Sequence, residues 1–278
     1  MKNLNKIFFS ALFFFFLNFI HSEEINRGLE IALKADDSFS GYGDSKTNLK
    51  MMLKDRKGLV TERVMEMKLL EVPEDGDKSL IVFDSPRDVR GVAVLSHAHK
   101  VGSDEQWLYL PALKRVKRVA SKNRTGPFLG SEFSLEDLSF QEVEKYSYEY
   151  LRDENIDGKE SHVIKRIPLD PYSGYTKQIV WISKSNSLIH QIHHFDRKSF
   201  HVKTQTFSGY KKYLNKFWRP GEIHMINHQT NKTTTLFFQD MAFNTGLSDK
   251  DFTQNSLCLL YTSPSPRDLS TSRMPSSA

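Results

Sequence analysis

From Leu49 onward the chain alternates between apolar and polar positions. Leu49, Met51 and Leu53 are interleaved with Lys50, Met52 and Lys54, and Met65, Met67 and Leu69 with Glu66, Lys68 and Leu70. A period of two sends successive side chains to opposite faces of an extended backbone, so each run predicts a β-strand. Arg56-Lys57-Gly58 turns the chain between them. Further strands are predicted over 79–83, 89–95, 106–110, 114–120, 143–151, 161–167, 177–182, 188–195, 202–210, 217–227 and 233–238. Turn formers separate them, among them Asn155 to Gly158, Lys184 to Ser187 and Asn215-Lys216. Over 143–151 the alternation puts Tyr146, Tyr148 and Tyr150 on one face.

Ahead of the strands, Glu24 to Phe39 carries Ile25, Leu29 and Leu33 with Ala32 and Ala35. A spacing of about four predicts an amphipathic helix, stopped by Gly41-Tyr42-Gly43. Ser134 with Asp137 three residues on resembles a capping box, so a short helix is expected near Leu135. No helices lie between the strands to carry parallel crossovers, which predicts an antiparallel meander. An antiparallel sheet of about a dozen strands curls or closes. The expected fold is mainly β (α+β), a large curved antiparallel sheet wrapped over the N-terminal helix.

Both ends of the 278 residues stand apart from this pattern. Met1 to Ser22 reads as a cleaved signal peptide: Lys2 and Lys6 precede the apolar run Ile7 to Ile20, which is short for a bilayer span of about 20 residues. Cys258 to Ala278 breaks register abruptly and reads as the in-frame translation of a sequencing-library adapter, or else as a Ser/Pro-rich disordered tail. Residues 23–257 are left as one domain, large enough for a sizeable core. Without Lys2, Lys6 and the net +1 of Arg267, Asp268 and Arg273, the formal charge falls from +5 to +2. A nucleic-acid partner therefore loses its compositional support. Setting Cys258 aside removes the one cysteine, and with it any disulfide, thiolate nucleophile or Cys-ligated metal.

Chemistry-bearing motifs are sparse. The chain has no Gly-rich phosphate loop, G-x-S-x-G elbow or H-E-x-x-H. No catalytic residues, metal ligands or cofactor are expected, and the protein is read as not an enzyme. His97 and His99 share a strand face without a third ligand nearby, and read as exposed histidines of an edge strand. Glu136 and Asp137 diverge on a helix and read as capping residues. Lys114, Arg115, Lys117, Arg118, Lys122 and Arg124 form a dense basic cluster. Such a cluster is either a solvated strand face or a contact with anionic headgroups or an acidic partner. Phe128 and Leu129, between Gly126-Pro127 and Gly130, either form an exposed apolar tip or fold back onto the core. Trp107 and Tyr109 suit an interface or an ordinary core equally.

The string DEQWLYLPALKRVKRVA, followed by FLGSEFSLEDL, within residues 102–138, resembles the bacterial outer-membrane lipoprotein-sorting proteins related to the LolA/LolB periplasmic carriers. The resemblance spans Glu24 to Leu257. It implies an incomplete β-barrel whose concave side is plugged by helices. It also implies a periplasmic protein that carries lipoprotein acyl chains or phospholipid, touches membrane surfaces transiently and has an RND-type exporter as a partner. Against that background Met51, Leu53, Met65, Met67, Leu69, Trp107, Tyr109, Phe128 and Leu129 are the candidate cavity residues. Methionines offer a soft, repackable lining. A chain of about 16 carbons, at roughly 0.8 kcal/mol per buried CH₂, would gain on the order of 10 kcal/mol. Lys114, Arg115, Lys117 and Arg118 are the candidate membrane or partner contacts. The alternative is a non-cargo adaptor of the exporter, with a filled barrel and its working surface at the basic cluster.

Overall fold

The computed structural model describes residues 23–139 and 141–259. The signal-peptide reading and all but the first two residues of the adapter-like tail lie outside the described residues. Helix α1 covers 23–37. Six strands follow: β1 (Asp44–Lys54), β2 (Val60–Leu70), β3 (Lys78–Ser85), β4 (Ala93–His97), β5 (Glu105–Leu110) and β6 (Arg115–Arg118). The second series is β7 (Tyr146–Ile156), β8 (Lys159–Pro168), β9 (Tyr175–Ser183), β10 (Ile189–Asp196) and β11 (His201–Ser208). It continues through β12 (Lys211–Tyr213), β13 (Phe217–Arg219), β14 (Glu222–Asn227) and β15 (Lys232–Phe243) to the short helix α2 (Gln254–Leu259). Among the described residues no helix is long and apolar enough to cross a membrane.

Thirteen strands form one antiparallel sheet in the order β6-β5-β4-β3-β2-β1-β15-β14-β11-β10-β9-β8-β7. Strands β6 and β7 are its two edges, so the sheet is an open barrel and not a closed one. The two edges are also consecutive in sequence. Residues 119–145, which join them, must therefore cross from one side of the sheet to the other. They cross the inner face, where Phe128, Phe133 and Leu135 pack on Leu49, Met51, Met65 and Phe83. This strap plugs the open barrel together with α1, as the fold expectation required. The short helix expected near Leu135 is a single turn: Leu138 N–H donates to Ser134 O, and Ser134 and Asp137 cap each other reciprocally.

The register of the pairs sorts side chains cleanly. Leu49 lies opposite Met65 and Phe238, Met67 opposite Ile81, and Ile192 opposite Val180 and Gln205. These residues share the inner face. The outer face of β3 to β5 forms a separate core of Leu80, Leu95, Trp107 and Tyr109, covered by Phe252 and Leu257.

Three elements differ from the sequence pattern for identifiable reasons. The run 217–227 breaks at Pro220-Gly221 into β13 and β14, because Pro220 has no N–H for the ladder. Strand β13 pairs with β12 in a hairpin outside the main sheet. Residues 86–92 form a loop ahead of β4, with Gly91 at φ +85°, a backbone conformation open to glycine. Strand β4 is an interior strand, so His97 is no edge histidine; its Nε2 lies 2.7 Å from Phe252 O. Finally, α1 does not bury its leucine stripe. Ile25, Leu29 and Leu33 stay exposed while Ile31, Ala32 and Ala35 are buried. A Cβ on Gly28 would come within 2.8 Å of the Glu149 and Tyr150 backbone, so the helix docks on β7 through its small-residue face.

Candidate functional site

Between α1, the strap and the inner face lies a cavity of about 350 Å³. Helix α1 contributes Ala32 and Ala35, with Phe39 just beyond its end, and the strap contributes Leu138 and Val143. Strands β8 to β10 supply Ile164, Val180, Ile182 and Ile192, and the other half of the sheet supplies Met67, Leu69, Ile223 and Phe238. A smaller void of about 130 Å³ adjoins it, lined by Met51, Met65, Ile81 and Phe83. Met67, Leu138, Ile223 and Phe238 line both. A volume of this order is at the lower end of the range seen for small-molecule sites.

The sequence candidates divide. Met51, Met65, Met67 and Leu69 line the two voids. Leu53 packs beside them against the same core. Trp107 and Tyr109 lie on the opposite face of the sheet, in the core under Phe252 and Leu257. Phe128 is buried against Phe83, with ring centroids 6.0 Å apart, and Leu129 packs on that core, so this loop folds back and is not an exposed tip. Lys114 sits in the β5–β6 turn and Arg115, Lys117 and Arg118 on edge strand β6, all exposed. Arg118 pairs with Glu105 at 2.6 Å. Arg124 leaves the basic cluster altogether: it is buried, 2.6 Å from Asp170 and 3.4 Å from Asp104.

What periodicity alone missed is a polar belt across the inner face. Tyr148, Arg166, Gln178, His194, Lys203 and Asn227 face one another in a single transverse row over six strands. Arg166, Gln178 and His194 are hydrogen-bonded in succession, and the chain ends on Gln205. Arg166 Nε donates to Gln178 Oε1 (2.5 Å), Gln178 Nε2 to His194 Nδ1 (2.9 Å), and His194 Nε2–H to Gln205 Oε1 (3.1 Å). Burial holds the His194 imidazole down to about 4, so it is neutral and carries its proton on Nε2. Lys203 Nζ reaches Asp137 Oδ2 and the Tyr175 hydroxyl, both at 3.0 Å, and Tyr175 donates to Asp137 Oδ1 at 2.8 Å. Arg166 also donates to Gln141 Oε1, and Asn227 Nδ2 to Glu132 Oε2 (2.6 Å). The belt is therefore the seat of the strap. Burial alone would raise the Asp137 carboxyl; the Lys203 charge and the Ser134 N–H and hydroxyl outweigh it and hold it below the usual range.

At the other end of the strap, Glu142 is gathered with the carboxyls of Asp77, Asp36 and Glu144. Asp77 N–H donates to Glu142 Oε1 (3.1 Å), and the Tyr42 hydroxyl donates to Asp77 Oδ2 (2.7 Å). Burial pushes Glu142 up to about 7, helped by the charges of Asp77, Asp36 and Glu144. An acid whose folded pKa is raised is a cost above that pKa, and the cost disappears as pH falls toward the unfolded value. Glu142→Gln should therefore raise the melting temperature at pH 8 and raise it little at pH 5. A gain equal at both pH values in thermal scans would refute the assignment.

The chain can now be set beside known proteins. A crystal structure of a domain described as an outer membrane lipoprotein-sorting protein from Vibrio parahaemolyticus superposes with a TM-score of 0.82 at 49% identity, covering 84% of this chain and 99% of that one. The chain belongs to the outer membrane lipoprotein-sorting protein family. A family model described only as an uncharacterized protein matches residues 75–258. A DUF1329 family protein from Desulfovibrio piger has a TM-score of 0.79 at 26% identity, over 84% of this chain and 99% of that one. A LolA superfamily protein from Nitrosomonas europaea shares the fold, with a TM-score of 0.67 at 20% identity over 82% and 98%. No curated protein matches the chain. In this sorting-protein family member, the 102–138 motif that carries the sequence resemblance supplies β5, β6 and most of the strap, including the Ser134–Asp137 cap seated on the belt.

Proposed function

We propose that this protein is a periplasmic carrier that holds acyl chains of lipoproteins or lipids in the inner-face cavity and passes them towards the outer membrane. The observation that carries this reading is the cavity itself: about 350 Å³ of open space walled mainly by apolar side chains from both halves of the sheet, with Asp36, Asp77, Asp137, Arg166 and Arg219 at its polar margin. A filled barrel would have no such space, because interiors pack as densely as organic crystals. Space lined by flexible Met67 and by branched aliphatic residues suits a hydrocarbon tail of variable shape.

The action is passive. A tail leaves its donor, is shielded from water under α1 and the strap, and moves on to an acceptor that binds it more tightly. No bond is made or broken, so no catalytic residue is assigned. The apolar leader of residues 1–22 supports export to the periplasm, and the family resemblance makes an RND-type exporter a reasonable partner. The test is extraction of the purified mature protein from a lipid-containing host, followed by mass spectrometry and titration with a fluorescent fatty acid. Co-purifying lipid and saturable uptake are expected. Protein that is repeatedly lipid-free and takes up no probe would replace the carrier with the exporter-adaptor reading.

A further inference from the structure

The strand register sends the hairpin turns to two opposite rims. Lys54 lies opposite both Val60 and Thr233, Arg115 opposite Leu110, and Lys203 opposite Asn227. One rim therefore gathers the β1–β2, β3–β4, β5–β6, β8–β9, β10–β11 and β14–β15 connections, and at the open seam its β8–β9 loop meets the β4–β5 loop of the other rim, where Arg124 joins Asp170 to Asp104. Twelve large apolar side chains are exposed in the described residues; seven of them lie on or beside this rim, three on α1 and two on the opposite rim.

Charge follows the same division. The segments 54–60, 86–91, 111–115, 169–174, 196–200 and 228–232 of the first rim hold ten Lys or Arg against four Asp. The opposite rim, over 40–43, 71–78, 98–105, 157–160, 184–188, 209–222 and 244–251, holds nine against eleven acids. The two features coincide on three of these turns. The β1–β2 turn presents exposed Arg56 and Lys57 with Leu59, which is 70% exposed. The β5–β6 turn presents Lys114 with Leu113 (63%), and the β10–β11 turn Lys198 with Phe200 (62%). The β3–β4 loop adds exposed Arg87 and Arg90, and the β8–β9 loop adds exposed Leu169 and Tyr172.

We infer that this rim docks on the surface of an anionic phospholipid bilayer, with the basic side chains at the headgroups and the apolar tips in the interface. Cations near an anionic leaflet and aliphatic or aromatic tips at headgroup depth are the two attractions such a surface offers. Leu59, Leu113 and Phe200 stand on three separate turns, each beside cations. That layout fits a soft, deformable surface better than the shaped face of a folded protein. It also turns the strap towards the bilayer, since Glu132 is fixed to Asn227 and Thr234 at this end of the sheet.

The experiment is flotation of the lipid-stripped mature protein with vesicles of phosphatidylcholine alone or with phosphatidylglycerol added. Wild type should float with the anionic vesicles, bind the neutral ones far less, and be partly released by salt, which shortens the Debye length. Each cation near the surface is worth about a fivefold change in partition. The variant Arg56→Glu/Arg87→Glu/Lys114→Glu/Lys198→Glu should therefore lose a hundredfold or more. Leu113→Ser/Phe200→Ser should remove the binding that persists in salt. Lys211→Glu/Lys212→Glu, on the opposite rim, should bind as wild type does. Absence of anionic-vesicle binding, equal binding to neutral vesicles, or equal loss in the opposite-rim variant would each overturn the inference. Because vesicles are offered without free fatty acid, docking and cargo uptake fail separately: docking without uptake counts against the carrier reading alone, and uptake without docking against this one alone.

Discussion

Met67→Trp is expected to abolish most fatty-acid binding while leaving the fold intact. Met67 lines both inner voids, so a larger side chain there grows into open space and not into packed neighbours. The loss follows from the methylenes that can no longer enter. Excluding only three, at roughly 0.8 kcal/mol each, costs about 2.4 kcal/mol, or about fiftyfold in Kd. Ile223→Phe fills the same junction between the voids from β14 and should act in the same direction. Leu214→Trp, at an exposed position of the opposite rim, is the control and should titrate as wild type. The readout is a fluorescent fatty-acid titration paired with a melting curve. If Met67→Trp keeps its melting temperature within a few degrees and still binds within threefold of wild type, hydrocarbon does not occupy this cavity.

Much of the architecture was legible because a half-buried strand alternates. Leu49-Met51 against Met65-Met67 and the Tyr146-Tyr148-Tyr150 row all fell on the faces that period two assigns. The antiparallel order followed from the lack of crossover helices. The methionine rows also marked the cavity wall on that half of the sheet. Three things were not legible, each for a physical reason. The direction in which α1 faces depends on how closely a helix can approach a strand, and Gly28 decides that over the leucine stripe. Trp107 and Tyr109 alternate as expected, but alternation does not say which face is inward; the segment ending at Leu257 covers the face they occupy. The other half of the cavity wall, Ile164, Val180, Ile182 and Ile192, is an ordinary strand pattern until the register aligns it.

The belt explains why the strap keeps its place beside a void that would otherwise favour collapse, and it carries the largest stability effect expected here. Lys203→Met removes the one cation in contact with the Asp137 carboxylate, which is fully buried. Leaving that charge unpaired should cost about 3–5 kcal/mol. For a chain of this size that is a fall of roughly 6–20 °C in melting temperature. The pH dependence separates this cause from simple loss of packing. In the wild type the Asp137 carboxyl lies below its ordinary value, so its contribution is present at neutral pH and is lost on acidification. In Lys203→Met burial is no longer opposed by the lysine, and the folded carboxyl moves upward. Its cost is then felt above the new value and relieved as the acid takes up a proton. The gap between variant and wild type should therefore be widest near pH 8 and narrow steadily towards pH 4. Asp137→Asn/Lys203→Met should lose less than the two single variants combined, by about 1–3 kcal/mol, because the second change removes the stranded charge. A gap independent of pH, together with strict additivity in the double variant, would mean that the pair contributes shape alone and that the strap is held by Phe128, Phe133 and Leu135.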